Sequence, residues 1–171
     1  MALLPVLTYP DPFLKRIAED VTDFNDALVE LLHDMAETMY EAPGIGLAAT
    51  QVGSKLNAFV MDVNFNVDDP DSSINPIFLI NPKIVEASGH TVMEEGCLSV
   101  PEYRAEVTRA MQIRVEYQNE RGETQTLTTD GLEAVCVQHE MDHLKGILFI
   151  DHLTPLRRKM IQNRLKKHAR G

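Results

Sequence analysis

The segment His139-Glu140-Met141-Asp142-His143 constrains this chain more than any other feature, because its chemistry requires a helix. Two residues four apart on an α-helix lie about 40° apart around the axis and one turn along it, so their imidazoles can converge on one ion. Glu140 projects about 100° from His139, which puts a carboxylate where it can handle the proton of a water beside that ion. The competing reading is a charged helix face carrying two ordinary histidines. The chain has only 6 histidines, and this spacing on an amphipathic segment favours a metal site.

The rest of the chain is compatible with a folded enzyme. It has 171 residues, 44% of them hydrophobic and 25% charged, which suits a single domain over residues 1–171 and argues against disorder. No stretch approaches the roughly 18 to 20 uninterrupted apolar residues of a membrane span. The opening Met1-Ala2-Leu3-Leu4-Pro5-Val6 has no basic region and soon meets Pro10-Asp11-Pro12, unlike a secretory leader. Two cysteines, Cys97 and Cys136, are too few for a disulfide framework, so the expected compartment is the reducing cytoplasm.

A third ligand decides what kind of metal site this is. A metzincin places a third histidine six residues after the second, and Phe149 stands there, although Gly146 matches. Thermolysin-like enzymes use a downstream glutamate, and none follows Glu140. Asp151 and His152 follow the apolar run Ile147–Ile150, which would have to turn back sharply to present them. Cys136 shares the helix with His143 but is displaced by about 10 Å of rise, too far for one ion. Its better role is a small residue lining a pocket. Cys97, in Glu94-Glu95-Gly96-Cys97-Leu98-Ser99, is the favoured ligand and His90 the reserve. A Cys-His-His set leaves a tetrahedral position open, the mark of a catalytic site.

Periodicity supplies the frame. Leu28, Leu31, Leu32, Met35 and Met39 predict a helix capped by Thr22 or Asp23 and running to about Tyr40. Strands are expected at Ala58–Val63 and at Ile77–Ile80, the latter ending before Asn81-Pro82, with a surface loop between them. Ile113–Tyr117 and Thr124–Thr128 form a hairpin around Asn119–Gly122. A second helix runs from Asp130 or Gly131 through His143, and a third from Pro155 to about Lys167. The order implies an α+β fold, with mostly antiparallel strands around a central metal-binding helix flanked by an N-terminal and a C-terminal helix. Seven basic residues lie after position 156, whereas the preceding part holds nine against 26 acidic ones, a formal charge of −17. The basic helix over 155–171 is either a solvated helix packed through Leu153, Leu156, Met160 and Leu165, or an anchor for a phosphate-rich surface.

Three segments taken together resemble the signature motifs of peptide deformylases, in order: Gly44-Ile45-Gly46-Leu47-Ala48-Ala49-Thr50-Gln51-Val52-Gly53, Glu95-Gly96-Cys97-Leu98-Ser99 and Gln138-His139-Glu140-Met141-Asp142-His143. The similarity extends from Tyr9-Pro10-Asp11-Pro12 to Gly146–Asp151, and Gly53 and Met141 are minor departures. The resemblance implies removal of the formyl group from the initiator methionine of nascent polypeptides, with release of formate. It implies Cys97, His139 and His143 as metal ligands and a metal-bound water as nucleophile, with Glu140 as base and then acid. The Gln51 side-chain amide and the Leu98 N–H become oxyanion donors, and Ile45, Gly46, Arg104, Leu132, Val135 and Cys136 substrate-binding residues. It favours Fe(II) in the cell, with Zn(II), Ni(II) or Co(II) able to occupy the same ligands. Bacterial forms with a C-terminal extension suggest the ribosome surface as the basic helix's partner; neither a membrane nor sequence-specific nucleic acid is expected.

Asp142 lies between the two histidines and Glu95 two residues before Cys97, so both carboxylates belong near the site. Arg109 is expected to link them and orient the ligand segments; the alternative is a solvated strand residue. Two other functions remain open: a metallopeptidase, and a ribosome- or RNA-binding module whose metal is structural.

Overall fold

A computed structural model describes residues 2–170, so Met1 and Gly171, the ends of the expected domain span, lie outside the described residues. Helix α1 (Asp26–Glu41) presents Leu28, Leu32, Met35 and Met39 on one face. Asn25, rather than Thr22 or Asp23, caps it: its side chain accepts from the Leu28 N–H at 3.0 Å, while Asp23 accepts from the Asn25 amide.

Five strands form an antiparallel sheet in the order β1 (Gly46–Ala48), β2 (Ala58–Met61), β3 (Ile77–Ser88), β6 (Gln112–Gln118) and β7 (Thr124–Asp130). All four residues of β2 are buried, because both faces of the sheet are covered. Ala58, Val60 and Ile80 face α1, whereas Phe59, Met61 and Leu79 face α2 (Gly131–Leu144). The period-two alternation of a strand thus separates two cores. The expected β6–β7 hairpin pairs from Gln112↔Asp130 to Gln118↔Thr124. Strand β2 stops at Met61, since Asp62 turns to receive the Tyr40 hydroxyl at 2.6 Å and the Asn75 N–H at 2.9 Å.

Two features depart from the sequence reading. Strand β3 does not end before Asn81-Pro82 but continues to Ser88 across a register irregularity. Asn81 takes φ +53°, and its side chain holds both the N–H and the C=O of Val21 and donates to Gln118, replacing the missing ladder bonds. The second departure is a separate hairpin, β4 (Thr91–Cys97) with β5 (Val100–Arg109), absent from the periodicity reading. Its alternating glutamates and arginines hide a buried face of Ala105 and Val107.

A third core joins Val100, Ala105 and Val107 of β5 to Leu148–Ile150 and to Ile161 and Leu165 of helix α3 (Pro155–Arg170). Of the four residues expected to pack this helix, Leu165 is buried and Leu153 half-buried, but Leu156 and Met160 are exposed; Ile161 takes the inward position. Among the described residues no helix is long and apolar enough to cross a membrane.

After α2 the chain reverses at Gly146, whose φ is +77°. A Cβ there would stand 2.4 Å from the Lys15 carbonyl oxygen and 2.7 Å from its carbon, both backbone atoms that cannot rotate away. Gly146→Ala is therefore expected to destabilise the fold by more than about 2 kcal/mol, from conformational strain and overlap combined. Urea unfolding checks this; a loss under about 0.5 kcal/mol would show that the two segments can separate freely.

Candidate metal centre

Helix α2 is buried on nearly every side, including at His139, Glu140 and His143. The two histidine Nε2 atoms lie 3.2 Å apart, and the Cys97 sulfur lies 3.3 Å from the Nε2 of His143. All three ligand atoms fall within 4.8 Å of one another. Cys97 arrives from β4, where a register shift between Gly96 and Cys97 pairs Cys97 with Val100 across the Leu98-Ser99 turn. Neither Cys136 nor His90 belongs to this cluster.

The convergence fits a metal. His139 turns its Nδ1 to Glu95 at 2.9 Å; a proton on Nδ1 leaves the Nε2 lone pair facing the other donors. A thiolate and two imidazole lone pairs aimed at one point repel each other unless a cation lies between them. The Gln51 amide and the Ser99 N–H also point at the Cys97 sulfur, at 3.5 and 3.4 Å. One soft thiolate with two imidazoles suits a first-row divalent metal and leaves coordination positions free.

Arg109 is buried, not a solvated strand residue. It donates twice to Glu95, at 2.6 and 2.9 Å, and once to Asp142, at 2.9 Å. Burial alone would raise the Glu95 pKa, but the hydrogen bonds from His139 and Arg109 outweigh it and hold the carboxyl below the usual range. The chain β5–Arg109–Glu95–His139 ties the hairpin to α2 through charge-assisted bonds. His152, passed over as a ligand because of the apolar run before it, meets Asp142 at 2.8 Å, because the short 3-10 turn Phe149–His152 does fold back.

A cleft of about 620 Å³ opens onto Cys97, His139 and Glu140. One wall is Gly44–Gly46, continuing into β1; another is Met93–Leu98 of β4 and its turn; Leu132, Val135 and Cys136 of α2 form the apolar floor. Each of β1 and β4 has a single strand neighbour, leaving one edge open. Gly46 is where a side chain cannot exist: a Cβ would lie 2.6 Å from a Glu140 carboxylate oxygen and 3.0 Å from the Cys136 sulfur. Arg104 lies at the rim, paired with Glu94 at 2.8 Å. Gln51 accepts from the Ala48 N–H and donates to Ser99, which fixes its amide orientation with the NH₂ toward the Cys97 side. Leu98 occupies the hairpin turn beside it.

Two contributors escaped the sequence reading. Ser99, fully buried, anchors the Gln51 amide; its only signal was its place two residues after Cys97. Phe149, rejected as a ligand, lies near-parallel to the His139 ring, with centroids 6.2 Å apart.

The sequence pattern described as polypeptide deformylase matches residues 3–159. The chain belongs to the polypeptide deformylase family. It is 49% identical over 176 residues to the peptide deformylase of Xylella fastidiosa (strain M12), covering 99% of this chain and 98% of that one. The crystal structure of peptide deformylase from Ehrlichia chaffeensis in complex with actinonin superposes with a TM-score of 0.90 at 36% identity, over 100% of both chains. The Met-Ala-Ser-bound class I type b peptide deformylase from Acinetobacter baumannii gives 0.82 at 37% identity, over 89% of this chain and 99% of that one. The fold is thus the α+β deformylase fold, and the family is metal-dependent, in keeping with the Cys97, His139 and His143 cluster.

Burial pushes the Cys136 thiol well up, helped by the Glu140 charge, so it stays protonated. Burial also raises the Glu140 carboxyl to about 7, against the opposing charges of His139 and Arg109, and one of its oxygens has no hydrogen-bond partner. A carboxyl whose folded pKa exceeds its unfolded value weakens the fold progressively as pH rises from the unfolded pKa to the folded one. In metal-stripped protein, Glu140→Gln should therefore gain about 3 kcal/mol over the parent chain at pH 8 and little at pH 5. Denaturant titrations at both pH values check the sign; a gain confined to the acid side would refute it.

Proposed function

We propose that the chain hydrolyses the N-formyl group of the initiator methionine on nascent polypeptides, releasing formate and a free amine. Family membership supports the reaction class. The observation that supports the reading is that Glu140, with Cys97 and His139 of the Cys-His-His cluster, lines a cleft flanked by the edges of β1 and β4. An extended peptide can add to such edges through main-chain hydrogen bonds. The Acinetobacter relative was crystallised with Met-Ala-Ser, a peptide that begins with unformylated methionine, as the product would.

The methionine side chain is held against Ile45, Leu132, Val135 and Cys136, with Gly46 allowing the peptide backbone to come close and Arg104 at the rim. Cys97, His139 and His143 would hold a divalent metal, Fe(II) in the cell with Zn(II), Ni(II) or Co(II) as substitutes, and that ion would supply Lewis-acid polarisation. Glu140 accepts a proton from the attacking water as its oxygen bonds to the formyl carbon. The Gln51 amide and the Leu98 N–H stabilise the oxyanion. Glu140 then passes the proton to the departing nitrogen as the C–N bond breaks. Burial raises the Glu140 carboxyl above the ordinary carboxylate range, which favours its taking a proton and giving it back. Glu95, Arg109 and Asp142 hold the ligand segments in place.

Residues 1–171 act as one catalytic domain in the cytoplasm, with α3 part of it. The exposed cations Arg157, Lys159, Arg164, Lys166 and Lys167 attach this helix to ribosomal RNA phosphates at the exit region.

Formate release from formyl-Met-Ala-Ser tests the activity. Glu140→Gln should keep its metal and lose at least about 10²-fold in turnover. Cleavage of internal peptide bonds without formate release would instead mark a peptidase. Removing α3 would strip Ile161 and Leu165 from the third core, so the ribosome test uses charge replacement. Changing the five exposed cations to Gln should leave peptide turnover intact and abolish salt-sensitive ribosome binding. Undiminished binding by that variant would assign the helix to packing alone.

A further inference from the structure

A second cavity, of about 350 Å³, lies on a different face of α2 from the cleft. Its polar lining comes from His90 in the β3–β4 connection, Thr108 and Arg109 of β5, Gln138 and Asp142 of α2, Lys145 just beyond it and His152, the Gln138 amide being bonded to the Ala110 and Ala134 backbone. The catalytic scheme above assigns no role to His90, Thr108 or Lys145. Asp142 is the only carboxylate of the lining, and it is already shared by Arg109 and His152 at 2.9 and 2.8 Å. The Lys145 ammonium pairs with no carboxylate among the described residues. A cation without a carboxylate partner, the free imidazole of His90, the Asp142-bonded imidazole of His152 and the Thr108 hydroxyl, all solvent-exposed, thus line one recess in a body whose first 156 residues carry a formal charge of −17.

Nitrogen and hydroxyl donors drawn from several separate segments suit an acceptor with oxygens in several directions, as a tetrahedral oxyanion has. Formate, with two oxygens in one plane, cannot engage donors spread over as many directions. At about 350 Å³ the recess has room for a small free ion and not for a nucleic-acid strand. We infer that this recess is a binding site for a small phosphate-class oxyanion, held by Lys145, His90 and Thr108 and bordered by the Arg109–Asp142–His152 network. An occupant there would touch the far end of the hydrogen-bond series that runs through Arg109 and Glu95 to His139.

The test is calorimetric titration of the full-length, metal-loaded protein with inorganic phosphate, against formate and chloride at matched ionic strength and neutral pH. Saturable binding of phosphate alone is expected, with affinity falling at least about tenfold in both Lys145→Ala and His90→Asn. These variants should keep basal formate release, because neither residue lines the cleft. Phosphate should also raise the thermal midpoint of the parent chain and not of the variants. Phosphate heats indistinguishable from chloride, formate binding as tight as phosphate, or undiminished affinity in both variants would overturn the inference.

Discussion

Three electron-pair donors that repel one another are held within 4.8 Å, and much of the architecture serves that convergence. Two donors come from one helix, where geometry brings them together without further help. The third comes from a hairpin belonging to a different sheet, so the site exists only while the hairpin stays docked on the helix. Docking is secured by Arg109, whose guanidinium fork spans the Glu95 carboxylate of the hairpin and the Asp142 carboxylate of the helix. A planar, always charged group is suited to this, since it forms two parallel bonds to one carboxylate and still has a donor for another. The same Glu95 fixes the His139 ring, so one buried ion pair sets both the position of the hairpin and the orientation of a ligand.

Burying so many polar groups is costly unless each finds a partner. Most do, but among the described residues one Glu140 oxygen, the His143 Nδ1 and one Glu37 oxygen are buried without one. The first two belong to residues of the candidate site, the His143 Nδ1 on the ring edge turned away from the Cys97 sulfur, and Glu37 lies on α1. The remainder of the fold is conservative by contrast: two apolar cores divided by a sheet, and a third beneath α3.

Periodicity revealed what it physically can. The apolar spacing of α1, the alternation of β6 and β7 and the His-Glu-x-x-His helix each follow from local rules, and they are present. The β4–β5 hairpin was invisible because its side chains serve the site: Glu94, Glu95, Arg104 and Arg109 are ion-paired, and their charges break the hydrophobic signal. Strand β3 was cut short at Asn81-Pro82 because the contacts that carry it through, to Val21 and Gln118, are remote in sequence. The histidines announce themselves by spacing. Gln51 does not: without the family resemblance it is an ordinary polar residue in a short turn, and only the folded chain places its amide beside Cys97 and Ser99.

The open edges of β1 and β4 carry a last consequence. A guest aligned on such edges is gripped by its peptide groups, which every polypeptide possesses in the same form and at the same intervals. Side chains alternate away from that grip, so most of the guest's identity goes unread. Under the proposed function, discrimination falls to the apolar part of the cleft lined by Ile45, Leu132, Val135 and Cys136. A deformylase working as proposed would choose its guest by a single terminal residue and leave the text that follows unread.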